Sequence, residues 1–187
     1  MSNRFEVRPT AIAGLHVLER RPIADQRGFL ERMFCADDLA AILGQRKIVQ
    51  INHSFNAKAG TLRGMHFQHP PHAECKIVSC LRGEIFDVAV DIRRGSPTFL
   101  QWHGEVLSPT NWKSLFIPEG FAHGFLSLTE ESEILYLTTQ AYCPSAEGGL
   151  NAMDPRVGIR WPAEIVEVSD RDGRQAFLAA DFEGVRI

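Results

Sequence analysis

No stretch of this 187-residue chain approaches the roughly 18 consecutive apolar residues that a membrane-crossing helix requires. Met1 to Pro9 likewise lacks the apolar segment of a secretion signal, so the expectation is a cytoplasmic protein with no membrane partner. Charge of one sign is also scarce. With 20 Lys and Arg against 23 Asp and Glu, the net charge of −3 argues against nucleic acid as a partner and leaves a small molecule as the better expectation. The four cysteines, Cys35, Cys75, Cys80 and Cys143, have neither the CxxC spacing nor the density of a disulfide framework, which fits a reducing compartment. There is no low-complexity tract, long charge run or internal repeat, hence no linker, and we expect one domain over residues 1–187.

What the chain does contain is a succession of short apolar and β-branched runs punctuated by Gly, Pro, Asn and Asp. They cover 15–19, 29–34, 48–52, 76–81, 84–92, 98–107, 114–117, 123–128 and 132–138, the rhythm of a β-sandwich or barrel. One helix is expected over 36–43, where Leu39, Ile42 and Leu43 share a face and Gly44 is placed to stop it. In the run 84–92, Phe86, Val88, Val90 and Ile92 share one face, and Ile85, Asp87, Ala89 and Asp91 the other. That second, partly acidic face suits either a barrel lumen or solvent, and alternation alone does not choose between them.

The chemistry concentrates in Thr61 to Lys76, where an Arg, three His, a Glu and a Lys are crowded between two strand-like runs. Each such group removed from water needs a partner or costs several kcal/mol, so a purely structural sheet has no use for so many. His66 is the natural candidate base at neutral pH, with Gly64 beside it leaving room for a ligand. In a continuous strand Gly64, His66 and Gln68 would face one way and Arg63, Met65 and Phe67 the other. His66, His69, His72 and Glu74 also invite a metal reading. Pro118 to His123 resembles the second cupin motif, but the place of the first motif's second His holds Gln68 and Glu74 falls late, a poor metal cage. We therefore expect no metal.

Asp25-Gln26-Arg27-Gly28-Phe29, Gly60 to His66, Gly83 to Asp91, Ser96-Pro97-Thr98, Ile117 to Phe125, Asp154-Pro155 and Ile159-Arg160-Trp161-Pro162, taken together, resemble the dTDP-4-dehydrorhamnose 3,5-epimerase family. The resemblance implies an all-β, cupin-type jelly-roll barrel with one or a few short helices, needing neither metal nor cofactor, and a homodimer whose N-terminal strands cross to the partner. It implies a nucleotide-sugar substrate, a 4-keto-6-deoxyhexose epimerised at C3, C5 or both. It implies His66 as base, Asp172 as its support (with Asp87 an alternative), Tyr136 as acid and Lys76 as the cation facing the enolate. Ligand-binding positions implied in the same way are Arg27, Gln50, Asn52, Arg63, Lys76, His123, Tyr142, Glu147 and Arg171. The chain departs from the family at Arg32, where an acidic residue is usual, and at Ile51 and Ala152-Met153. These changes touch ligand contacts more than the proton-transfer set. The alternatives are a C3-only or C5-only epimerase, one acting on another nucleotide such as CDP, a non-catalytic sugar-nucleotide binder and a metal-dependent cupin. Retention of His66, Tyr136, Lys76 and Asp172 together argues against a pure binder, which gains nothing from an acid and a base.

Overall fold

The computed structural model describes residues 4–187; Met1 to Asn3, part of the expected domain and N-terminal segment, lie outside them. The chain opens with β1 (Phe5–Pro9), β2 (His16–Arg20) and a small hairpin, β3 (Ile23–Asp25) and β4 (Gly28–Leu30). After α1 (Ala40–Leu43) come β5 (Gln50–Asn56), β6 (Thr61–Gln68), β7 (Lys76–Arg82), β8 (Ile85–Asp91) and β9 (Trp102–Leu107). Next are β10 (Lys113–Ile117), β11 (Phe121–Ser127) and β12 (Ser132–Thr138), and the short elements β13 (Glu147–Gly149), β14 (Glu167–Val168) and α2 (Asp170–Gly173) close the chain. One sheet runs β1-β2-β10-β7-β12-β5; the other runs β13-β6-β11-β8-β9, with β14 joined to β6.

The two sheets face each other across an apolar layer. Val17, Val78, Cys80, Leu115, Ile117 and Ile134 of the first meet Ile85, Ala89, Leu107, Phe121 and Phe125 of the second. This is the expected cupin-type jelly roll. Two further layers lie outside it. Residues of the C-terminal segment, among them Leu150, Ala152, Val157 and Trp161, pack on Leu62, Val88, Val90 and Leu126. Both faces of β8 are therefore covered: Phe86, Val88 and Val90 face that outer layer, whereas Asp87, on the face of Ile85 and Ala89, is buried between the sheets against His123. On the other side Leu39 and Leu43 join Phe5, Leu18, Ile77 and Phe116.

Several boundaries differ from the sequence expectation, for local reasons. The helix expected over 36–43 is regular only at Ala40–Leu43, since Leu39 offers its N-terminus no side-chain cap. So short a helix does not hold by itself; burial of Leu39 and Leu43, worth about 1.5–3 kcal/mol each, fixes it to the sheet. The expected strand at 29–34 stops at Leu30 because Glu31 turns inward to pair with buried Arg20 at 2.7 Å. The run from Thr98 reaches strand geometry only at Trp102, because the Ser96 and Thr98 hydroxyls are tied to Asp91 Oδ2, each at 2.6 Å, and Leu100 adopts φ +63°.

The departure that matters most for the site lies inside β6. His66 pairs with His123, but Arg63 pairs with Phe125, so Gly64 and Met65 together oppose Gly124. This bulge breaks the strict alternation expected from sequence. Arg63 and His66 now both look into the barrel, while Leu62 and Met65 join the outer apolar layer. Gly64 has φ +112°, and a Cβ there would stand 2.6 Å from Gly124 Cα and 2.7 Å from His123 O. Only glycine fits.

Candidate active site

A cavity of about 630 Å³ opens between the sheets at the end not filled by the apolar layer. From the first sheet, β5 turns Gln50, Asn52 and Ser54 into it, β12 turns Tyr136 and Thr138, and β7 contributes Lys76. From the second, β6 supplies Arg63 and His66, and β11 supplies His123. The segment after β12 adds Tyr142 and Glu147, and α2 adds Arg171 and Asp172. Of the residues expected from the sequence, Arg27 alone lies elsewhere. It sits at the β3–β4 turn, exposed and paired with Asp25, because the hairpin projects away from the barrel.

His66 Nε2 lies 2.7 Å from Asp172 Oδ1. The carboxylate is fixed in turn: its Oδ2 accepts the Gly64 amide at 3.1 Å, and the Asp172 amide donates to Ser169 Oγ, the N-cap of α2, at 3.1 Å. Burial pushes the Asp172 carboxyl up, but the bond from His66, the Gly64 amide and the charge of Arg171 together carry it below its ordinary value. His66 is also lowered, chiefly by burial and further by the cations Arg171 and Lys76, with Asp172 opposing. The ring is thus neutral at pH 7. With Nε2–H committed to the carboxylate, Nδ1 is the nitrogen left to accept a proton.

Arg171 Nη2 stands 3.0 Å from His66 Nε2, and its Nη1 donates to both Glu147 oxygens at 3.1 Å. Tyr142 completes this chain, its hydroxyl donating to Glu147 Oε2 at 3.0 Å and its amide to Gln50 Oε1 at 3.0 Å. Across the cavity Tyr136 is half-buried, and burial raises its phenol above the ordinary value, so it stays protonated at neutral pH. Arg63 is held by Asn56 Oδ1 at 2.7 Å and the Phe55 carbonyl at 3.3 Å. Lys76 Nζ lies 3.1 Å from Glu74 and 3.5 Å from the His66 carbonyl.

Asp87 does not support His66. It pairs with His123, Nε2 to Oδ1 2.7 Å, because the β8–β11 register sets Asp87 near His123 while α2 delivers Asp172 to His66. Of the weighed metal ligands, His69 packs edge-on against Phe67, and no group of three or more His, Cys, Asp or Glu placed to hold a metal occurs among the described residues. Two residues that sequence reasoning weighed only in the metal question, Glu74 as a ligand and Gln68 as the substitute for a missing His, do other things. Gln68 organises the cavity rim, accepting the Cys143 amide at 2.6 Å and donating to the His72 and Ala141 carbonyls. Glu74 lines the cavity beside Lys76; its two-residue spacing from Lys76 was the available signal.

Comparison with known proteins bears on this arrangement directly. The profile of the family described as dTDP-4-dehydrorhamnose 3,5-epimerase matches residues 9–180. A dTDP-4-dehydrorhamnose 3,5-epimerase of Salmonella typhimurium is 44% identical over 171 residues, covering 90% of this chain and 93% of its own. The structure of dTDP-6-deoxy-D-glucose-3,5-epimerase from Legionella pneumophila in complex with dTDP-4-keto-L-rhamnose superposes with a TM-score of 0.91 at 38% identity, covering 98% of each chain. The dTDP-4-dehydrorhamnose 3,5-epimerase of Bacillus anthracis with TDP and pyrophosphate bound gives 0.89 at 36% identity, over 93% of this chain and 99% of the other.

Proposed function

The chain belongs to the dTDP-4-dehydrorhamnose 3,5-epimerase family, and on that premise we propose that it inverts C3 and C5 of a nucleotide-linked 4-keto-6-deoxyhexose, with dTDP-4-dehydro-6-deoxy-D-glucose as substrate and dTDP-4-dehydro-L-rhamnose as product. Both C–H bonds are α to the ketone. His66 Nδ1 removes a proton from one face, with Asp172 orienting the ring and stabilising the imidazolium. The electron pair moves onto the carbonyl oxygen, where the Lys76 ammonium meets the developing charge. Tyr136 returns a proton from the opposite face, and the stereocentre is inverted. No electrons are gained or lost, so the reaction needs no redox partner.

One observation carries this reading. The dyad, the ammonium and the protonated phenol all border the same cavity. Arg63 and Arg171 supply positive charge for the diphosphate, and Gln50, Asn52, His123, Tyr142 and Glu147 supply the remaining polar contacts. Arg27 takes its place through a homodimer. The β3–β4 hairpin that carries it exposes Ile23, Phe29 and Leu30, and the outer face of edge strand β5 exposes Ile51 and Phe55, surfaces that a second copy would cover. No helix among the described residues is long and apolar enough to cross a membrane, and the substrate class suits a cytoplasmic enzyme.

The test is NMR of dTDP- and CDP-linked 4-keto-6-deoxyhexoses in deuterated water. Exchange at C3 and C5 of the dTDP sugar is expected, lost in His66→Ala; in Tyr136→Phe completed inversion should suffer more than exchange. Undiminished exchange in His66→Ala would overturn the mechanism, exchange confined to one carbon would replace the stated double inversion and its product, and exchange confined to the CDP sugar would replace the stated substrate.

A further inference from the structure

Glu74 has no part in the proton transfers above, yet its side chain is only 6% exposed and borders the same cavity as Lys76 and His66. One carboxylate oxygen, Oε1, meets Lys76 Nζ at 3.1 Å; the other, Oε2, is buried without a hydrogen-bond partner among the described residues. A carboxylate can only accept hydrogen bonds, and a buried oxygen left without a donor is costly. The barrel contains an acceptor in want of a donor, fixed one ion pair away from the ammonium.

We propose that Glu74 is a substrate-binding residue that recognises the 3-hydroxyl of the ketosugar, an inference that rests on the epimerase reading above. Lys76 donates to the ketone oxygen at C4, so the carboxylate held against its ammonium lies beside whatever group neighbours that ketone. On one side this is C5, bearing a methyl group and the ring oxygen, neither of which can donate. On the other it is C3, whose hydroxyl is the donor that Oε2 lacks. The ion pair thus presents a donor to O4 and an acceptor to O3, matching the polarity of an α-hydroxyketone. Its consequence is selectivity for sugars that keep the 3-hydroxyl over 3-deoxy analogues, because a hydrogen bond to a charged group is lost when the hydroxyl is missing.

The experiment compares dTDP-4-keto-6-deoxyglucose with its 3-deoxy analogue, reading deuterium exchange at C5, the position the two substrates share, with kcat and KM measured separately. For the parent enzyme, kcat/KM is expected to be roughly 10- to 100-fold higher with the 3-hydroxy sugar. In Glu74→Gln the loss should be about tenfold larger for the 3-hydroxy sugar than for the analogue, and Glu74→Asp should recover part of the preference. Equal losses on both substrates would mean that Glu74 only holds Lys76, and would overturn the proposal while leaving the epimerase reading intact. The parent's own preference serves even if the variants do not fold: equal kcat/KM on the two sugars overturns the proposal without any substitution. A parent inactive on both would overturn the epimerase reading and this inference with it.

Discussion

Replacing Asp172 by asparagine tests the central dyad at nearly constant shape. The Ser169 cap is made by the backbone amide of residue 172 and is unaffected by the change. The Gly64 amide still needs an acceptor, so the new carboxamide oxygen takes the place of Oδ2, and its NH2 then faces His66 Nε2, where the carboxylate had accepted. An NH2 group can only donate. It forces the ring proton onto Nδ1, the nitrogen that must be bare to take a proton from carbon. Loss of one charge-assisted bond is worth about 1.5–3 kcal/mol, or roughly 10- to 150-fold in rate. The blocked tautomer adds to this, and in serine-protease triads the same change for the same reason costs about 10⁴ in kcat. We therefore expect kcat for C3 and C5 exchange to fall by roughly 10²–10⁴, with KM changed far less. Solvent-deuterium exchange followed by NMR gives the rate, and circular dichroism confirms the fold. An Asp172→Asn enzyme within about threefold of the parent would refute the assignment of Nε2 to Asp172 and of Nδ1 to catalysis.

Three other outcomes are expected. Arg171→Met removes a positive charge that holds the His66 pKa down; because the ring must be neutral to act, the acid limb of the kcat/KM profile should move to higher pH, and a limb that stays put or moves lower would contradict the arrangement. Gly64→Ala places a Cβ against the backbone of β11 at a positive φ, which should cost about 1–3 kcal/mol for strain and a similar amount for overpacking. Activity should fall with it, since the bulge sets Arg63 and His66, and a fully active variant as stable as the parent in urea would refute this. Asp91→Ala strips Arg93, Ser96 and Thr98 of their shared carboxylate and should cost roughly 3–5 kcal/mol. Burial pushes the Asp91 carboxyl up, but the bonds from Arg93, Ser96 and Thr98 favour the charged form and carry it below the ordinary aspartate value. Its contribution is present above the ordinary aspartate range and is lost as pH falls through the lower folded value, so the difference between parent and variant in urea melts should narrow in strong acid; a constant difference would speak against it.

The strand rhythm was legible because it rests on nearest-neighbour patterning. Ser132–Thr138 is a strand over the full range expected, and most others differ by a residue or two at their ends. Two of the ends that moved further were set by particular side-chain partners, one of them distant in sequence. Arg20 draws Glu31 out of the second hairpin strand, and Asp91 holds the chain after β8 in a turn. Local residue types marked only the part of the site between Thr61 and Lys76; Tyr136, Tyr142, Glu147, Arg171 and Asp172, and the support of His66 by Asp172, were expected from the family resemblance alone. No spacing rule tells that Asp172 rather than Asp87 meets His66, since one arrives on a four-residue helix at the end of the chain and the other on a strand facing His123. Glu74 was visible as a carboxylate near three histidines. Its pairing with Lys76 was signalled only by their two-residue spacing.

Composition and pattern by themselves determined an all-β chain and marked His66 as a candidate base; both follow from local preference and from the chemistry of single side chains. The roles expected of Tyr136, Lys76 and Asp172 beside it were implied only by the family resemblance. Tertiary structure decided which face each of those side chains shares. Strand alternation would separate Arg63 from His66, and the two come together only because β6 takes up one extra residue against β11, at a glycine that lets the two backbones touch. That bulge is a property of two strands distant in sequence, and neither strand's sequence alone contains it.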